Sequence, residues 1–261
     1  MQISGKSILI TGANRGIGLA VAKACAHEKA KLILAVRKQD VNLISTLKKL
    51  GAESIEIIES DLISRDGVNS LIEKIKNSQI DILFNNAGLL TGGLLEEQPL
   101  DDIYNMFQVN LNALVHLTHA IVPRMIQQKS GKIINHSSVS AIMHFPCATT
   151  YAASKAAVWA FTDCLQQELN GTGVSTLCLF TPGIKTRMFD KIDDLYSKNF
   201  ETPKDSITPE DYAEKILAAI RADSVYLKPE GATGVAFRLA QHSKALFNWA
   251  TASRFHRNIL K

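Results

Sequence analysis

The feature that most narrows what this chain can fold into is a series of short runs apolar on both faces, each followed by a helix-length pattern. SILIT, LILAV and TLCLF are the clearest of them. A strand that is apolar on both faces needs cover on both sides, the situation of a parallel sheet with helices above and below it. Strands are predicted at Ser7–Thr11, Lys31–Val36, Ser54–Ser60, Ile82–Ala87, Lys132–Ser138 and Val174–Thr181. Helical patterns at about 15–29, 40–50, 64–77, 101–127 and 149–170 separate them. Strand–helix–strand repeats of this size make right-handed crossovers and a doubly wound α/β sheet of about seven strands. After Thr181 the alternation weakens. Gly183–Pro209 reads as polar and irregular, with a lid over 187–208, then Pro209–Ala222 as a helix and Val225–Lys228 as a last strand. No repeat, linker or charge block marks a second domain. The 261 residues are therefore read as one domain over 1–230 with a tail over 231–261.

The net charge of +4 would by itself suggest a polyanionic partner. Its distribution argues against nucleic acid. From Gly231 to Lys261 there are five basic residues (Arg238, Lys244, Arg254, Arg257, Lys261) and no acidic one, so removing them leaves −1 on the first 230 residues. Cys25, Cys147, Cys164 and Cys178 are too scattered for a zinc framework, contain no CxxC, and read as reduced thiols. No metal site is expected. With no signal-like apolar N-terminus and no stretch near the roughly 18 residues of a membrane span, a cytoplasmic protein is predicted.

The first strand runs into Thr11-Gly12-Ala13-Asn14-Arg15-Gly16-Ile17-Gly18, and a helix pattern follows. Glycines here permit a tight turn and close approach of the backbone to a pyrophosphate, while the helix N-terminus offers N–H donors to the anion. Further on stand Asn85-Asn86-Ala87-Gly88, Asn110 within QVNLNAL, Ser138, Tyr151-Ala-Ala-Ser-Lys155 and Pro182-Gly183. From residue 7 to about 190 this order and register resembles the short-chain dehydrogenase/reductase family. The resemblance implies a Rossmann-type fold and a nicotinamide dinucleotide bound by Gly12, Asn14, Arg15, Gly16, Ile17 and Gly18. It further implies Asp61 and Leu62 near the adenine, Asn86, Ala87 and Gly88 beside the cofactor, and Pro182, Gly183, Ile184 and Thr186 at its carboxamide end.

An acidic residue at the end of strand two would bind the adenosine-ribose hydroxyls and repel a 2′-phosphate. Here Val36 takes that place and Arg37 follows, a residue able to grip a phosphate bidentately. Arg15 is the family's other common basic position. The expected cofactor is NADP(H).

Tyr151 and Lys155 are four apart in a helical run and share a face. Reduction of a carbonyl needs a proton donor to its oxygen, and a free tyrosine titrates near ~10, so a neighbouring ammonium that favours the phenolate is useful. Tyr151 is assigned as general acid/base. Lys155 is expected to lower its pKa and, by the resemblance, to hold the nicotinamide ribose beside Tyr151. Ser138 would donate to the substrate oxygen. Asn110, as in the family, would hold a water in the proton relay. Ser137 competes with Ser138, but adjacent strand residues face opposite ways. His136 and His144 suggest a Ser-His hydrolase, yet no G-x-S-x-G surrounds Ser138.

The predicted function is an NADP(H)-dependent carbonyl/alcohol oxidoreductase. A catalytically silent NADP-binding regulator on the same fold is the rival, disfavoured because all four chemical residues are retained. The substrate is expected to be small and apolar, set by residues about 89–98, 139–149 and 187–208, with Met143, Phe145, Met188 and Phe189 hinting at the pocket. The resemblance implies a homodimer or homotetramer through the long helices that carry Asn110 and Tyr151. If Val235–Ala250 is one helix, Val235, Leu239, Leu246 and Trp249 form an apolar sector that excludes Phe247. Packing of that sector on its own subunit or a neighbour is favoured over docking of a basic amphipathic helix on an anionic membrane surface.

Overall fold

The computed structural model describes residues 1–200 and 206–257, and of Asp193 the backbone alone. Its strands are β1 (Ser7–Thr11), β2 (Lys31–Val36), β3 (Ser54–Glu59), β4 (Ile82–Asn85), β5 (Gly131–His136), β6 (Val174–Leu179) and β7 (Tyr226–Leu227). They form one sheet in the order β3-β2-β1-β4-β5-β6-β7, and every pairing is parallel. The double-faced apolar character of the strands has its expected cause. Along β1, Ile8 and Ile10 enter the core on one face while Leu9 enters the core on the other. The first core is closed by α1 (Gly16–His27), α2 (Val41–Lys49) and α8 (Pro209–Arg221); the second by α3 (Arg65–Lys74), α5 (Ala113–Gln127) and α6 (Thr149–Glu168). The predicted strands continue one or two residues beyond the observed β3 to β6, because the chain leaves the ladder there and turns: Asn86 N donates to Phe84 O at 3.0 Å, and Ser137 N to Asn135 O at 3.1 Å.

Three segments differ from the sequence reading. The predicted single helix over 101–127 is α4 (Leu100–Phe107), a π-helical turn Gln108–Asn112, and then α5. Such widened turns recur where a helix is bent around a site. The predicted irregular segment contains a helix, α7 (Arg187–Tyr196), whose period is visible in Met188, Ile192, Leu195 and Tyr196. Residues 201–205 of the predicted lid lie outside the described residues. The predicted helix over 235–250 is two helices, α9 (Gly231–His242) and α10 (Lys244–Ala252), broken at Ser243 with φ −137° and ψ 60°. The break has a packing reason. On a continuous helix Phe237 and Phe247 would point about 80° apart, whereas both are buried in one core, Phe237 against Phe180 and Phe247 against Phe145. Of the predicted apolar sector Leu239 is half-buried, while Val235, Leu246 and Trp249 are 60%, 51% and 71% exposed.

Candidate active site

In the strand order the crossover direction reverses between β1 and β4, which opens a crevice at the carboxyl ends of these two strands. The glycine loop lies there. Gly12 has φ +68°, and a Cβ on it would meet Ala87 Cα at 3.1 Å and Asn86 Nδ2 at 3.2 Å. A Cβ on Gly18 would come within 2.5 Å of Gly12 O. Gly16 has φ +54° and faces Thr186, whose methyl lies 3.3 Å from the place of its Cβ. No side chain caps the first turn of α1 and no acid occupies it, so its N–H groups and positive dipole face the loop. The cradle's shape and polarity fit a pyrophosphate. Arg15, at the start of α1, is exposed; Asn14 is half-buried beside it, and Ile17 packs on the core below.

Asn86, expected at the cofactor, spends its side chain on the scaffold. Its Nδ2 donates to Thr11 O at 2.8 Å and Gly12 O at 3.3 Å, while Asn86 N and Ala87 N both donate to Thr11 Oγ1. These bonds lock the ends of β1 and β4 together. With both amide hydrogens turned to carbonyls, Asn86 Oδ1 must accept, and His136 Nδ1 stands 3.1 Å from it. His136 is therefore the Nδ1-protonated neutral tautomer. Burial and, second, the Lys155 charge hold its imidazole down to about 3.

Asp61 and Leu62 follow β3. Asp61 is exposed with Oδ1 accepting from Ile63 N, and Leu62 is buried with its carbonyl accepting from Gln108 Nε2. Arg37 follows the buried Val36 and is exposed; among the described residues neither it nor Arg15 has an ion-pair partner. The Pro182-Gly183 turn continues into buried Ile184, bridged to Ile207, while Thr186 Oγ1 accepts from Phe189 N in the first turn of α7.

On the opposite rim Ser138, Tyr151 and Lys155 come together. Lys155 Nζ lies 5.7 Å from the Tyr151 ring centroid and donates to His136 O at 2.7 Å. Desolvation pushes the Tyr151 phenol up to about 12, opposed by a hydrogen bond with Ser138. The same burial lowers Lys155 to about 8. Burial outweighs the Ser138 hydrogen bond, and the phenol stays protonated. Ser138 Oγ accepts from Ser140 N at 3.1 Å. Ser137 faces away and donates to Lys155 O at 2.8 Å, pinning α6. His144 Nε2 stays near Ala141 O, remote from any nucleophile role.

Asn110 sits in the π-helical turn, buried, with its amide clamped to Leu89: Oδ1 accepts from Leu89 N at 2.7 Å, and Nδ2 donates to Leu89 O and Ser154 Oγ. A Cβ on Gly88 would lie 3.4 Å from Asn110 Oδ1 and 3.8 Å from Lys155 Nζ, so Gly88 packs close to both.

Two residues within the segments expected to set the substrate, 187–208 and 139–149, carried no individual signal in the sequence. Tyr196 of α7 is buried with its ring over Gly92, and burial raises its phenol. Cys147, at φ +67°, is buried with Tyr196, Phe200 and Ala148, and Phe145, Leu94 and Phe255 pack on that cluster. Met143 belongs instead to the core under α9. The period of α7 was present in the sequence; the left-handed cysteine left no signal there.

The family model described as short chain dehydrogenase matches residues 6–196. An uncharacterized oxidoreductase of Staphylococcus saprophyticus is 36% identical over 225 residues, 84% of this chain and 91% of that protein. A ketoacyl reductase of Nostoc is 31% identical over 84% of this chain and 76% of its own length. A short chain dehydrogenase/reductase from Burkholderia phymatum in complex with NAD has a TM-score of 0.82 at 25% identity, covering 100% of this chain and 99% of that one. A Burkholderia cenocepacia short chain dehydrogenase in complex with NADP has a TM-score of 0.80 at 23% identity, over 96% and 99% of the two chains.

Proposed function

This chain belongs to the short-chain dehydrogenase family of oxidoreductases, and on that premise we propose that it is an NADP(H)-dependent enzyme interconverting a carbonyl and an alcohol on an apolar substrate. The observation that carries this reading is the Ser138–Tyr151–Lys155 group at the rim of a glycine cradle fit for a pyrophosphate. The dinucleotide supplies or accepts the hydride at carbon. In reduction, the protonated Tyr151 phenol delivers its proton to the substrate oxygen; in oxidation, the phenolate takes it back. Ser138, with Ser140 N occupying one lone pair, can turn its own O–H to that oxygen and hold the carbonyl. Lys155 is charged below about pH 8, would hold the ribose of a bound dinucleotide, and favours the phenolate left after proton transfer. Asn110, fixed by Leu89, keeps the widened helical turn against α6 and supports the water of the relay. Leu94, Phe145, Cys147, Tyr196 and Phe200 pack as one apolar cluster drawn from the segments expected to set the substrate, which favours an apolar one. A homodimer or homotetramer built on α5 and α6 is proposed with it.

The preference for the 2′-phosphate rests on exposed Arg37 and Arg15 and on Val36 in place of an acid. It is tested by NADPH and NADH oxidation across ketones, aldehydes and quinones. Arg37→Asp is expected to lower kcat/KM for NADPH by about 10- to 100-fold, the worth of a charge-assisted hydrogen bond, and to leave or raise that for NADH. Equal use of the two cofactors by both proteins would overturn the preference.

A further inference from the structure

Helices α9 and α10 are packed by one face and bare on another. Phe237, Ala240 and Phe247 enter the core, while Leu246 and Trp249, neighbours at i and i+3, and Val235 one helix earlier, stand in solvent. Arg238, Lys244 and Arg254 are exposed on the same segment, and among the described residues none has an ion-pair partner; Arg257 is paired with Glu96. No acidic residue occurs from Gly231 to Lys261. A contact between two copies through this same patch would be self-complementary, setting positive charge against positive charge. A segment that exposes tryptophan, leucine and valine, carries exposed cations and has no acid of its own is instead complementary to the acyl boundary and headgroups of an anionic bilayer. No described helix is long and apolar enough to cross a membrane, so the contact is peripheral.

The segment is also tied to the candidate site. Phe255 bridges Phe200 in antiparallel sense, His256 N donates to Asn199 O at 2.7 Å, and Asn199 Nδ2 donates to His256 O at 2.9 Å. The bare face thus lies on the piece of chain that packs on the apolar cluster of Cys147, Tyr196 and Phe200. We propose that α9 and α10 dock this protein on anionic membrane surfaces, where lipophilic carbonyl compounds partition; the link to such substrates rests on the oxidoreductase reading.

The test is sedimentation of the full chain with vesicles of phosphatidylcholine alone and of phosphatidylcholine mixed with phosphatidylglycerol. The protein is expected to pellet with the anionic vesicles and not with the neutral ones, with binding falling about tenfold or more in molar salt as the cations are screened. Leu246→Glu with Trp249→Glu is expected to abolish pelleting on anionic vesicles, and Arg238→Gln with Lys244→Gln to weaken it. All four residues are exposed, and an unchanged unfolding temperature checks that the fold is kept. Absence of pelleting, equal pelleting on both vesicles, or pelleting indifferent to the variants would overturn the proposal. So would a solution mass that drops on Trp249→Glu, which would make this face a contact between copies. Sedimentation reads no turnover, so its failure and a failure of the oxidoreductase reading are separate results.

Discussion

Tyr151 and Lys155 show how far single residues can be read from spacing. Four positions apart on a helix, they were expected on one face and are found there, with Ser138 beside them. Their ionisation was not legible, because it depends on burial. The phenol is pushed up and the ammonium down, both by desolvation. The lysine's consequences have opposite signs. Its folded-state pKa of about 8 lies below its ordinary 10.5, so the unfolded chain binds more protons between those values and stability rises with pH through that window. Below about pH 8 the buried charge costs stability while serving the chemistry. Carbonyl reduction is therefore expected to fall as pH rises through about 8. Lys155→Met is expected to lose turnover yet unfold at least ~2 °C higher at pH 7, as read by thermal denaturation. A less stable variant, or a pH profile flat to 10, would contradict this. Asn86 and His136 mark the other limit. The motif carrying Asn86 was readable, but its amide's engagement with Thr11 and Gly12, and the histidine tautomer this dictates, needed coordinates.

Elements with strong period were legible, and those set by tertiary demand were not. Strands β1, β2 and β4 needed little beyond their apolar faces, since burial on both sides leaves only one kind of sheet. The break at Ser243 and the π-helical turn at Asn110 answer to packing: one turns two phenylalanines to one core, the other fits Asn110 to Leu89. The placement of α7 belongs here too. Its Tyr196 ring lies over Gly92 so closely that a Cβ there would fall 2.0 Å from Cε1. Gly92→Ala is expected to displace the ring and loosen α7 at about 1–2 kcal/mol, raising KM for an apolar substrate about tenfold. The dissociation constant for NADPH should be unchanged. Unaltered KM in steady-state kinetics would remove Tyr196 from the substrate wall.

Across the whole molecule, the apolar patterning led directly to a doubly wound sheet, and the strand order then places the crevice at the reversal between β1 and β4. The distribution of charge also carried information. The tail's five cations were legible, but which face they accompany was not, because helical period alone cannot tell a packed sector from a bare one. The residues at the crevice come from both halves of the chain: the glycine loop and Arg37 from the first, Ser138, Tyr151 and Lys155 from the second. Cofactor binding and proton transfer should therefore be separable. The decisive measurement is NADPH binding and NADPH oxidation with an accepted carbonyl substrate, compared between the natural chain and Tyr151→Phe. Binding within about twofold and turnover lower by at least ~100-fold are expected, since the variant lacks only the proton donor. Turnover by Tyr151→Phe equal to that of the natural chain, at equal NADPH affinity, would contradict the account.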